Sequence, residues 1–150
     1  MFTTDEVADI GHVVNEFGLS SNPSKVAAII QISRPRTSTQ LKSFLGFTGF
    51  YQQFVSILAS ISRPLVNFEQ KGADVLHNWN DDHEQAFVTQ KKELSDAPVL
   101  DRDDGVSELE LQIDASGHGL EAVLQMQKNE KWRPITYISC GLQNHNLNII

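Results

Sequence analysis

Between Leu41 and Val55 the residues Leu41, Phe44, Leu45, Thr48, Tyr51 and Val55 return at three- and four-residue steps. At about 3.6 residues per turn, that spacing gathers them on one wide face of an α-helix. Phe47, Phe50 and Phe54 add a second, aromatic row. Thr37 and Gln40 have the spacing of a capping box at its start. Gly46 and Gly49 each cost about 1 kcal/mol relative to Ala inside a helix, which predicts a close neighbour on that side.

The stretches on either side are weaker but readable. Residues 7–19 read as a strand, a kink and a second strand or extended turn, punctuated by Gly11 and Gly18. Asn22 is a good N-cap and Pro23 suits the first helical position, with Val26, Ile29 and Ile30 as the apolar stripe. Arg34-Pro35 ends that helix. Pro64 is expected beside only a short further turn of helix. A third long helix is capped by Asn80, carries acids in its first turn and Lys91 and Lys92 near its end, and is stopped by Pro98. After the loop "DRDDGVS" come three strand candidates, 107–113, 119–127 and 132–139, joined by "ASGH" and "KNEK". Together they make an antiparallel meander, and the fold class is α+β.

The chain's 150 residues suffice for one ordinary core, and an apolar fraction of 40% with 21% charged residues is globular. No run approaches the roughly 18 to 20 apolar residues that span a bilayer, and no signal peptide is visible. The lone Cys140 excludes an internal disulfide and a multi-cysteine zinc site, so an intracellular, cytoplasmic or nuclear setting is expected. A net charge of −7 argues at first against nucleic acid. Its distribution argues the other way. No Asp or Glu lies between Phe17 and Phe68, where Lys25, Arg34, Arg36, Lys42 and Arg63 all fall. That basic middle either meets a phosphate backbone or is simply an unevenly charged, solvated surface.

Of the residues that could carry chemistry, Asp114 stands out by position. On its strand Glu108, Glu110, Gln112 and Asp114 share one face, while Leu109, Leu111 and Ile113 share the other and are expected to be buried. Asp114 then emerges on the accessible side at a strand end. This suits a ligand for a hard cation such as Mg²⁺, and it suits a turn residue equally well. Asp81-Asp82 complements a helix start. Asp101, Asp103 and Asp104 miss the calcium-loop spacing and read as solvated acids. The five histidines show no zinc pattern, and no nucleophile elbow or phosphate-cradling glycine loop is present.

Taken in order, five blocks resemble the reverse transcriptase polyprotein of gypsy-type long-terminal-repeat retrotransposons. "IGHVVNEFGLSSNPSKVAAI" is similar to F-L-G-H-x-V-S-x-x-G-I-x-x-D-P-x-K-V-x-A-I. "TSTQLKSFLGFTGFYQQFVSILASISRPL" is similar to L-R-S-F-L-G-L-x-x-Y-Y-R-R-F-I-x-x-F-S-x-I-A-x-P-L. "WNDDHEQAFVTQKKELSDAPVL" matches W-x-x-x-x-x-x-A-F-x-x-L-K-x-x-L-x-x-A-P-V-L. "LQIDASGHGLEAVLQ" matches D-A-S-x-x-G-x-G-A-V-L-x-Q, and "RPITYIS" matches R-P-I-A-Y-x-S.

The resemblance implies a palm and primer-grip remnant over 1–20, a thumb-like helical segment over 21–68, and a connecting helical segment over 69–100. Residues 101–150 would be the truncated N-terminal part of an RNase H-like domain, its meander forming the first strands. Gly11, His12, Lys25, Arg34, Arg36, Lys42 and Tyr51 would meet nucleic acid, either a template-primer duplex or an RNA/DNA hybrid, with no membrane partner. Lys42 stands where the family has Arg. Asp114 would be the first of the carboxylates that hold two Mg²⁺ ions in the intact enzyme. The polymerase's Tyr-x-Asp-Asp turn belongs upstream of the first block, and the later RNase H carboxylates belong beyond the last. The chain alone is therefore expected to be non-catalytic and to bind no metal tightly. Gln52 and Gln53 replace paired arginines, Glu121 a glycine and Asp9 an aromatic residue. Two readings follow: a piece of a polymerase/RNase H that contributes duplex binding and one metal-ligand strand, or a non-catalytic binding or relic protein of the same descent.

Overall fold

A computed structural model describes residues 6–8, 12–15, 18–72, 74–117 and 119–141. Gly11 and Asp9 lie outside them. Three short strands, β1 (Glu6–Ala8), β2 (His12–Asn15) and β3 (Gly18–Ser21), form an antiparallel sheet in that order. Beyond β3, Leu19 pairs with the distant Leu100 through both backbone bonds, at 2.8 and 2.7 Å. Five helices follow: α1 (Pro23–Ile30), α2 (Ser38–Phe50), α3 (Leu58–Gln70), α4 (Val75–Asn78) and α5 (Asp81–Ser95). A second antiparallel sheet closes the chain, with β4 (Leu109–Ser116), β5 (Gly119–Lys128) and β6 (Lys131–Gly141) in meander order.

The helix starts follow local chemistry. The Asn22 side chain accepts from Ser24 N at 3.0 Å with Pro23 in the first turn, as expected for α1. Thr37 Oγ1 accepts from Gln40 N at 3.2 Å at the head of α2. The Gln40 side chain reaches one residue further back than a capping box requires, accepting from Arg36 N at 2.8 Å. At α5, Asn80 accepts from His83 N at 3.2 Å and donates its own N–H to His83 Nδ1 at 3.1 Å, a reciprocal cap built with histidine. Asp74 caps α4, a helix the sequence did not announce.

Three expectations need correction here. The apolar run 41–55 is not one helix: α2 stops at Phe50 and a 3-10 turn, Gln52–Phe54, swings the last aromatic into the core. Pro64 does not mark a short turn but sits inside the 13-residue α3, whose buried Leu58, Leu65 and Phe68 outweigh the lost backbone bond. Gly46 and Gly49 have no close neighbour, since nothing lies within 4 Å of a Cβ built at either.

That core joins Leu41 and Phe44 of α2, Phe54, Leu65 of α3, Leu94 of α5 and Leu100, with the rings of Phe44 and Phe87 4.7 Å apart. The second sheet docks on it through β6: Ser139 Oγ accepts from Ala59 N at 2.8 Å, and its carbonyl accepts from the Gln52 amide. Tyr137 packs against the same core. This reverses the faces expected for the meander. Ser139 and Tyr137 lie in register with Glu121 and Val123, and these with Asp114 and Gln112, so the helices adjoin the face that alternation marks as polar. Leu109, Leu111 and Ile113, expected to be buried, are 45%, 54% and 59% exposed. The strand has the right period, but its apolar side is left about half exposed, while Met126 and Ala122, in register with Leu109 and Ile113 on β5, are buried.

Candidate nucleic-acid interface and the Asp114 position

Asp114 sits on β4 opposite Glu121 of β5, which in turn faces Ser139 of β6. Glu121 Oε1 accepts from Ser60 Oγ in α3 at 2.6 Å. An open hollow of about 600 Å³, walled by Ser56, Ile57, Asp114, Glu121 and Tyr137, lies between sheet and helices. Directly opposed carboxylates repel each other and draw cations. A pair of divalent ions about 4 Å apart nonetheless needs more ligands than this, typically several carboxylates around both metals. Among the described residues no group of three or more His, Cys, Asp or Glu side chains could hold a metal. The residues at Asp114 therefore do not fit a two-metal centre.

The loop acids turn out to be structural. Asp104 accepts from Val106 N, Ser107 N and Ser107 Oγ, and the Ser107 bonds hold its carboxyl down at about 2. Asp103 accepts from Gly105 N. Asp101, expected to be solvated, is largely buried and faces Lys128 at 3.5 Å and Arg133 at 3.4 Å.

Of the four basic residues expected at the interface, three gather and one does not. Lys25 on α1 and Phe47 and Phe50 on α2 line a hollow of about 760 Å³ floored by Ala28, Ile29 and Gly46. Arg34 and Arg36, in the connection between α1 and α2, line an adjoining hollow of about 510 Å³ that shares Ser43 and Phe47 with it. Phe47 and Phe50 are more than half exposed. The open sides of Gly46 and Gly49 leave α2 approachable down to its backbone. Lys42 is not free: its ammonium lies 3.2 Å from Glu69 of α3, just past the acid-free tract.

His12, on β2, is half-buried against α2 and the 3-10 turn. Its ring centroid lies 5.1 Å from Phe50, 5.5 Å from Phe54 and 6.3 Å from Tyr51, and its Nε2 lies 2.8 Å from the Gln53 amide nitrogen. Tyr51, expected at the interface, is only 4% exposed and part of the core, and burial pushes its phenol up. It supports His12 rather than presenting itself. The structure thus brings together His12, Lys25, Arg34 and Arg36 around α2, leaves Lys42 paired on another side, and places Asp114 apart, beyond the start of α3. Phe47 and Phe50 are the additions. Their sequence signal was the second, aromatic row beside the apolar face.

Residues 79–149 match the family described as an RNase H-like domain found in reverse transcriptase. Over 147 residues the chain is 31% identical to a retrovirus-related Pol polyprotein from transposon 297 of Drosophila melanogaster; the match covers 98% of the chain and 13% of that polyprotein. In fold it is similar to the foamy viral protease-reverse transcriptase in complex with dsDNA, with a TM-score of 0.80 at 24% identity, covering 97% of this chain and 30% of that one. The same viral protein in complex with an RNA/DNA hybrid gives a TM-score of 0.78, over 93% and 19%. Residues 79–149 are thus the stretch similar to the RNase H-like domain found in reverse transcriptase, and the homologues of the chain as a whole are retrotransposon Pol polyproteins, of which it spans about an eighth.

Proposed function

We propose that this segment holds a nucleic-acid duplex, an RNA/DNA hybrid or template-primer, on the α1–α2 face, as the thumb-like part of a polymerase/RNase H. In this reading residues 1–20 carry the primer-grip remnant, 21–68 the thumb-like helices, 69–100 the connecting helices and 101–150 the first RNase H-like strands. The carrying observation is the cluster of Lys25, Arg34 and Arg36 beside exposed Phe47 and Phe50, in a tract without acids. Cations there neutralise phosphates, and aromatic rings and a side-chain-free helix surface allow bases or sugars to come close. The foamy viral proteins of similar fold were solved with dsDNA and with a hybrid, which supports this reading.

Three phosphate contacts set a salt dependence with a log–log slope of roughly −2.7 on a duplex. Anisotropy of a labelled RNA/DNA hybrid against salt tests it: Arg34→Ala and Arg36→Ala are expected each to weaken binding and flatten the slope by about 1. Absence of binding by the wild type at low salt refutes the proposal.

Asp114 is, in the same reading, the inherited first ligand for Mg²⁺ of the RNase H centre. The chain itself is not proposed to cleave, because Glu121 opposes Asp114 and is held by Ser60. Mg²⁺-dependent cleavage of a hybrid by the wild type, lost in Asp114→Asn, would overturn that part. The same opposed pair favours the second reading, a binding protein of polymerase descent with no reaction of its own.

A further inference from the structure

Gln52 and Gln53 occupy the positions of paired arginines in the resembled family, yet neither side chain is left for a phosphate. They are consecutive residues of the 3-10 turn after α2, and they serve two different sheets. The Gln52 amide donates to the Ser139 carbonyl in β6. The Gln53 amide nitrogen lies 2.8 Å from His12 Nε2 in β2. The third residue of the turn, Phe54, is only 1% exposed and anchors it in the core.

His12 is otherwise surrounded by rings, with Phe50 and Phe54 tilted against it and Tyr51 edge-on. Such contacts hold an imidazole in place but are weakly directional about its own axis, so they choose neither its flip nor its tautomer. A hydrogen bond at Nε2 fixes the flip, and because the amide nitrogen, a donor, is the atom facing the ring, it sets the tautomer as well. We infer that Gln53 is a positioning residue for His12: its amide fixes the orientation and tautomer of the imidazole, and so decides which ring nitrogen remains to meet nucleic acid. With the amide donating to Nε2, the ring proton sits on Nδ1, which becomes the one N–H that His12 can offer. Gln52 supports this by pinning the same turn to β6. An arginine at position 53 could also donate to Nε2, but would bring a full positive charge against the ring, whereas glutamine supplies the bond without it.

The consequence for binding rests on the proposal that the α1–α2 face meets a duplex; the orientation of His12 does not. Both are tested on the full chain with ¹⁵N-labelled histidine and a fluorescent RNA/DNA hybrid. Gln53→Met keeps the side-chain length and deletes the bond, and Gln53→Ala provides a second variant. The expected result is a change of the His12 ring ¹⁵N shifts from one tautomer toward a mixture in both variants. Hybrid binding should weaken several-fold in Gln53→Met, with no further loss when Gln53→Met is added to His12→Ala. His12 ring signals identical in the wild type and both variants would overturn the inference, as would fully additive losses in the double variant. If the wild type does not bind the hybrid, the functional proposal fails, while the ring signals still decide for or against Gln53.

Discussion

Gln90 is the residue whose replacement should change stability most usefully. It lies on the buried stripe of α5 with Ala86, Phe87 and Leu94, it is 0% exposed, and neither its Oε1 nor its Nε2 has a hydrogen-bond partner. A side-chain amide taken out of water without a partner costs about 1–3 kcal/mol in proteins. Leucine has nearly the same volume, and the apolar atoms it adds should contribute on the order of 1 kcal/mol after imperfect fit is allowed for. Gln90→Leu is therefore expected to stabilise the fold by about 2–4 kcal/mol, or roughly 5–15 °C in Tm for a chain of this size. The pattern quoted for this segment, A-F-x-x-L-K against "AFVTQK", has leucine at the same place. Urea titration by circular dichroism, alongside a thermal melt, measures the effect: the midpoint should rise with the m-value unchanged. Gln90→Ala, which removes the amide but leaves a void, should gain less or lose. A Gln90→Leu protein no more stable than the wild type would show that the amide is satisfied in solution, and would refute the reasoning.

Other consequences follow from the backbone and from one half-buried ring. Gly18 has φ +135°, and a Cβ there would stand 2.1 Å from the Leu100 carbonyl oxygen, so Gly18→Ala should cost about 2–4 kcal/mol in chemical denaturation and break the Leu19–Leu100 pairing, seen as lost amide protection. The turn between β5 and β6 puts two non-glycine residues at positive φ, Asn129 at 52° and Glu130 at 62°; Glu130→Gly should raise stability by about 0.5–1.5 kcal/mol in the same assay. Burial pushes the His83 imidazole below its usual 6.5, with Asp82 partly opposing, and its Nδ1 accepts from Asn80 N. The neutral ring belongs to the folded state, so its contribution is complete above about pH 6.5 and lost as pH falls below that, where the unfolded chain binds the extra proton. His83→Gln, which keeps the cap, should flatten the fall in urea midpoint between about pH 8 and about pH 5 relative to wild type; equal slopes would exclude His83 as the source.

What was legible in the sequence was local. Caps at Asn22, Thr37 and Asn80 are read from a few neighbouring residues, because the hydrogen bonds involved span two or three positions. The meander likewise follows from period-2 alternation and short turns. Where tertiary packing decides, the reading slipped. Pro64 ends helices on average, but Leu58, Leu65 and Phe68 are buried on both sides of it and carry α3 through. Gly46 and Gly49 suggested a close neighbour because in a closed core the usual reason to accept the entropy of glycine is contact; here both face open space.

The faces of β4 show why a site is harder to read than a fold. Alternation says only that Leu109, Leu111 and Ile113 share a side; which side a partner covers depends on where Ser139 and Gln52 dock the sheet, some 87 residues apart in sequence. The same holds for the substituted positions. Glu121, Gln52 and Gln53 stood out as departures from a family pattern, and a pattern can mark a change only as a loss. In the structure each has a partner far along the chain: Ser60 for Glu121, Ser139 for Gln52 and His12 for Gln53. All three partners belong to elements that meet around the turn after α2 and the start of α3. At all three positions the side chain is used for bonds between sheets and helices. With Gln52 and Gln53 bonded inside the fold, the proposed duplex binding rests on Lys25, Arg34, Arg36 and the exposed rings, which is why the salt slope, rather than cleavage, is the measurement that discriminates most sharply.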